Sequence, residues 1–105
     1  MIQIGQIRPT HDLKELKLLL SKPETRHITR ESVITAVEIG FASRQQMVDA
    51  VMQLGPSDFH KTMPSDKVPG TYQDVYRKNI NGVAIYIKLS KSLQGKGVIV
   101  SFKKK

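Results

Sequence analysis

In TYQDVYRKNINGVAIYIKLS, residues 71–90, two runs of alternating character meet at Asn81-Gly82. Asn-Gly is a strong two-residue hairpin signal because both positions tolerate positive φ. With Asn81 and Gly82 as the loop, Ile80 faces Val83. Counting outward, Arg77 lies opposite Tyr86, Val75 opposite Lys88, and Gln73 opposite Ser90. Successive side chains on a strand alternate between faces, and opposed residues share one. Val83, Ile85, Ile87 and Leu89 therefore form an aliphatic face turned to the core. Gln73, Arg77, Tyr86 and Lys88 gather on the other. A slip of one residue would reverse this assignment.

The remaining chain fits around that hairpin. Residues 97–103 predict a third strand, with Val98, Val100 and Phe102 toward the core and Ser101 and Lys103 outside. Leu13, Leu16, Leu19 and Leu20 share one helical face, and Pro23 stops that helix. A second helix starts after Thr29 as N-cap and ends at Gly40. A third carries the Ser43/Gln46 capping box and the stripe Met47, Ala50, Val51 and Leu54, and ends at Gly55-Pro56. RHIT, residues 26–29, fits a short extended stretch. PSDFHKTM, residues 56–63, fits a short turn capped by Ser57, which leaves Lys61 in a loop. Helices first and strands later predict an α+β fold, with three helices packed on one face of a small antiparallel sheet. At 105 residues, one domain spanning 1–105 is expected.

Charge narrows the function. The chain has 17 Lys+Arg against 9 Asp+Glu, a net +8. Residues 1–52 hold 7 basic and 6 acidic side chains, for +1, and residues 53–105 hold 10 and 3, for +7. A basic half on a small chain is the footprint of a polyanionic partner. There is no cysteine, which removes thiol nucleophiles, disulfides and cysteine-based zinc sites and suits a reducing cytoplasm. No apolar run is long enough for a membrane span, and MIQIGQIRPTHD does not read as a signal peptide. There is no phosphate-binding glycine loop. His11, His27 and His60, and Asp58, Asp66 and Asp74, lack metal-ligand spacing, so no metal or cofactor is expected. Asp74 falls on the core side with no visible partner.

A face of phenol, amide and cations suits RNA chemistry. The 2′-OH of RNA can attack the adjacent phosphate and expel the 5′ oxygen without a metal. The protein must then supply a base, an acid and cations for the charge on phosphorus. Crowded cations favour a phenolate and disfavour a further ammonium. DNA, lacking the 2′-OH, escapes such a reaction. Two other readings compete: a non-enzymatic basic nucleic-acid-binding module of the same fold, and an adaptor for acidic proteins.

LGPSDFHKTM, YQDVY and VIVSFKKK, in this order and spacing, resemble the MqsR family of toxins, the messenger-RNA interferases of type II toxin–antitoxin systems. The match is strongest over Leu54–Lys105, and ITRESVITAVEIGF sits where the family has its second helix. The resemblance implies a RelE-like fold, metal-independent RNA cleavage in the cytoplasm and a cognate antitoxin protein. Carried over by motif, the catalytic residues implied are Lys61, Gln73, Tyr86 and Lys103. Arg77, Lys88, His60 and Tyr72 are the expected RNA-binding residues. His60 stands where the family has another aromatic, Tyr72 replaces a bulkier one, and the loop KSLQGKG is slightly long.

Overall fold

The computed structural model describes residues 8–105; most of the stretch read above for a signal peptide lies outside them. The elements are α1 (Leu13–Leu20), β1 (Arg26–Ile28), α2 (Arg30–Glu38), α3 (Arg44–Met52), β2 (Phe59–Pro64), β3 (Tyr72–Ile80), β4 (Val83–Lys91) and β5 (Gly97–Lys104). Short 3-10 turns occupy Pro23–Thr25 and Pro56–Asp58. The five strands form one sheet in the order β1-β5-β4-β3-β2. The fold is α+β, as expected, but the sheet is mixed. β1 runs parallel to β5, and the other neighbours are antiparallel.

Each helix starts on the cap its sequence carries. Asp12 accepts from Lys14 N, Thr29 from Ser32 N, and Ser43 and Gln46 form the reciprocal capping box. Gly40, at φ +97°, closes α2 in the left-handed conformation that a Cβ penalises. Near the third helix's end the cap differs from expectation. Asp58, not Ser57, turns back to accept from Gly55 N at 2.8 Å. The chain then enters β2 instead of remaining a loop.

The hairpin register is the one the Asn-Gly turn predicts. Ile80 pairs with Val83, Arg77 with Tyr86 and Val75 with Lys88, and both turn residues have positive φ. Ile85, Ile87 and Leu89 join Leu16, Leu20, Met47, Val51 and Phe102 in the core beneath the helices. Phe102 packs edge-on against Phe41 with centroids 5.0 Å apart. α1 sits so close to β5 that a Cβ on Gly97 would stand 2.9 Å from Leu19 Cβ and 3.2 Å from Leu20 Cγ. Gly97→Ala is thus expected to cost about 1–3 kcal/mol through overpacking. A urea titration checks it, and an unchanged midpoint would show that α1 does not rest on this strand.

β5 departs from simple alternation. Leu89 pairs with Ile99 and Lys88 with Ser101, so Val100 is an extra residue in a β-bulge. Phe102 and Ile99 point to the core. Val98 pairs with Ser90 and stands on the opposite face, and Val100 is half-buried at the bulge. The expectation that Val98 and Val100 are core residues is therefore corrected, because the inserted residue resets the alternation.

Asp74 is fully buried on the helix side, as expected, and finds its partners in the segment before α1. Its carboxylate accepts from Thr10 N at 2.9 Å and His11 N at 2.8 Å. These charge-assisted bonds tie β3 to the start of the helical layer.

Candidate active site

The sheet face away from the helices carries three rows of side chains, each crossing several strands. In the first, Arg77 (β3), Tyr86 (β4) and Lys103 (β5) lie side by side. In the second, Lys61 (β2), Val75, Lys88 and Ser101 follow in order. In the third, Met63 pairs with Gln73, and Ser90 with Val98. Rows are two residues apart along each strand, about 7 Å, and neighbours within a row are about 4.8 Å apart. Val75 is 0% exposed although it lies outside the helix-side core cluster. Its row neighbours are the long aliphatic stems of Lys61 and Lys88, which cover apolar surface while keeping their ammonium groups in water.

Tyr86 is the centre of charge. The Lys88 Nζ lies 5.8 Å from its ring centroid and the Lys103 Nζ 5.4 Å. Both distances fall in the cation–π range. Other lysines are neutralised: Lys67 pairs with Glu31, Lys78 with Asp58 and Lys91 with Glu15. Among the described residues, Lys61, Arg77, Lys88 and Lys103 have no carboxylate partner, so their charge is free for an anion. The three tyrosines are unequal. Tyr76 is buried in the core against Phe59, and burial, then the charges of Asp74 and Asp12, push its hydroxyl up to about 12. It is held neutral, whereas Tyr86 faces solvent among cations.

Of the eight site residues inferred from sequence, the fold brings six onto this face: Lys61, Gln73, Arg77, Tyr86, Lys88 and Lys103. Lys61 reaches it from an edge strand and not from a loop. A register shift between Phe59 and Lys61 turns the lysine outward beside Val75. His60, the residue inside that shift, stands exposed at the rim. Tyr72 does not join the face. It is one residue from Gln73, so alternation carries it to the side of Asp74, where it is 44% exposed. Its backbone carbonyl, not its ring, supports the site by accepting from Ser90 Oγ at 2.7 Å. Ser101 takes the outer position expected for it, beside Lys88, although no motif marked it as a site residue.

The His60 imidazole is held below its ordinary value, first by partial desolvation and then by the positive charges of Arg77, Lys61 and Lys105. A bound phosphate opposes those charges and raises the value again. RNA affinity should then increase as pH falls through the interval between the free and bound values. Anisotropy titrations with RNA between about pH 5 and 8 read this dependence. His60→Asn should flatten it, and an identical slope in that variant would remove His60 from the RNA surface.

Among the described residues, no group of three or more His, Asp or Glu side chains is placed to hold a metal ion. What the face offers is proton transfer, hydrogen bonding and positive charge. The family described as "Motility quorum-sensing regulator, toxin of MqsA" matches residues 8–104. The chain belongs to this family. A relative, the mRNA interferase toxin MqsR of Escherichia coli (strain K12), is 31% identical over 97 residues, which cover 92% of this chain and 95% of the relative. The family match thus includes the three rows of the face, from Lys61 to Lys103. No helix among the described residues is long and apolar enough to cross a membrane.

Proposed function

We propose that this chain is an endoribonuclease toxin, a single unit that cleaves messenger RNA in the cytoplasm through the Lys61, Gln73, Tyr86 and Lys103 face. Membership of the MqsR family supports the toxin and interferase class. The observation that carries the site is the position of Tyr86, flanked by two ammonium groups and paired across the ladder with Arg77.

The reaction follows from those groups. The 2′ oxygen forms a bond to phosphorus as the bond to the 5′ oxygen breaks. The 2′ proton passes to a base on the protein, and an acid returns a proton to the departing 5′ oxygen. The products are a 2′,3′-cyclic phosphate and a 5′-hydroxyl. Tyr86 and a lysine beside it are the two proton-transfer groups, one deprotonated to take the 2′ proton and the other protonated to give one to the 5′ oxygen. Arg77, Lys88 and Lys103 stabilise the negative charge on the non-bridging oxygens. Gln73, one row from Lys88 and two from Tyr86, orients the nucleotide through its amide.

Purified protein incubated with RNA in EDTA is expected to leave cyclic-phosphate ends. A substrate carrying a single 2′-deoxynucleotide at the cleavage position should stay intact. Scission of that substrate would sink the mechanism, and RNA uncut under every condition would sink the function. A toxin of this family also calls for an antitoxin, and we expect a protein encoded beside it to abolish the cleavage. If no neighbouring product relieved toxicity, the assignment to a two-component system would fail.

A further inference from the structure

We propose that the groove at the Gln73 end of the active face is a nucleobase subsite, which seats one unstacked base beside the scissile phosphate and sets where RNA is cut. This inference rests on the ribonuclease reading above and assigns a second task to the same surface.

The groove has a volume of about 310 Å³, enough for a planar heterocycle. Its floor is Val98 and Val100, brought to this face by the bulge in β5. Val68 and Leu93 stand on its two walls. They are 40% and 76% exposed, so folding gains little from them where they are. Neither wall is a loose loop. Around Val68, Ser65 N bonds to Thr71 O at 2.9 Å, Thr71 N to Val68 O at 3.2 Å, and Val68 N to Ser65 Oγ at 3.3 Å. Around Leu93, Ser92 N bonds to Lys96 O and Gly95 N to Ser92 O, both at 2.9 Å, with Gly95 at φ +85°. Two closed turns thus hold exposed aliphatic side chains over an apolar floor.

Charge identifies the occupant. The two lysines at the rim, Lys67 and Lys91, are already paired with Glu31 and Glu15. The groove is close to neutral, while the rows beside it hold free cations. A phosphate belongs on those rows, and an uncharged planar base belongs between the aliphatic walls. Gln73 lines the groove and belongs to the active face, so the two sites are continuous. Its amide offers a donor and an acceptor to a base edge, and the Ser90 oxygen, whose proton goes to the Tyr72 carbonyl, offers an acceptor. RNA readers commonly recognise a splayed base in this way, by apolar contact on its faces and hydrogen bonds at its edge.

The test is an abasic scan. A cleavable oligonucleotide is synthesised with one abasic ribose at each position around the cut site. Wild-type kcat/KM should fall about 10- to 100-fold at one position, the scale of a single stacked base. Val68→Ser with Leu93→Ser should lower cleavage of the intact RNA by a similar factor and abolish that sensitivity, with both proteins cutting the abasic substrate equally. The conservative pair Val68→Ile with Leu93→Met should restore the wild-type pattern. Because both residues are exposed, thermal midpoints should be unchanged. A flat scan, or a sensitivity that persists in the serine pair, would overturn the subsite. Loss of antitoxin binding in the serine pair with an unaltered scan would assign the groove to the protein partner instead. Tyr86→Phe is assayed in parallel: undiminished cleavage there refutes the active-face reading, and its loss beside a flat scan refutes only the subsite.

Discussion

Tyr86→Phe should reduce RNA cleavage by about 10²- to 10⁴-fold, the usual scale for one general acid–base group, while leaving RNA affinity and thermal stability almost intact. The substitution removes a single oxygen. The ring that sits between the Lys88 and Lys103 ammonium groups remains, so cation–π contacts and the positive charge of the face are kept. The side chain lies outside the core cluster, so packing is not disturbed. Single-turnover cleavage, anisotropy with an uncleaved RNA and a thermal melt separate the three effects. A basic module that only binds RNA would show no change in any of them, and undiminished cleavage would exclude Tyr86 from proton transfer. Lys61→Ala and Gln73→Ala should likewise slow cleavage, with stability changes of about 0.5 kcal/mol or less, as is usual away from the core.

Ile87→Ala, one residue further along the same strand, should behave in the opposite way. Ile87 is 1% exposed and pairs with Tyr76 on one side and Phe102 on the other. Truncation leaves a cavity under the Phe41–Phe102 pair and is expected to cost about 2–5 kcal/mol. Small proteins hold only about 5–15 kcal/mol in total, so much of the molecule's stability would be lost. Ile85→Ala should be comparable. Urea denaturation measures both. A loss well under 1 kcal/mol would mean that the aliphatic face of β4 is not the core. The pair Tyr86→Phe and Ile87→Ala therefore tests the two faces of one strand at adjacent positions.

Where the chain signals its own geometry locally, that geometry was legible from the residues. The Asn81-Gly82 turn sets the hairpin register, and Ser43 and Gln46 identify the start of α3. These depend on contacts a few residues apart. Lys61 was harder, because β2 is a short edge strand whose alternation is broken by a register shift next to Phe59. The reading of β5 failed at Val98 and Val100 for a related reason. A bulge adds a residue to the strand with no compositional mark, and hydrophobic periodicity cannot count across it. β1 pairs with a strand about seventy positions away, and nothing in its own three residues announces a parallel partner. Asp74 could be placed on the core side, but its two donors are backbone amides of Thr10 and His11 and carry no side-chain signature. Tyr72 was expected on the RNA side from the family pattern, although its neighbour Gln73 already claims that side by alternation.

The bulge at Val100 also bears on how this protein can diversify. Because it absorbs one residue, the segment before it, Gly97–Ile99, is not in phase with the segment after it, Ser101–Lys104. Thr29 holds that junction by donating from its hydroxyl to the Val100 carbonyl at 2.9 Å. The two segments thereby keep their facing independently on one strand. Substitutions in the first reshape the surface around Ser90 without turning Lys103 away from Tyr86. A change of sequence on one side of the bulge therefore need not alter which way the side chains on the other side face.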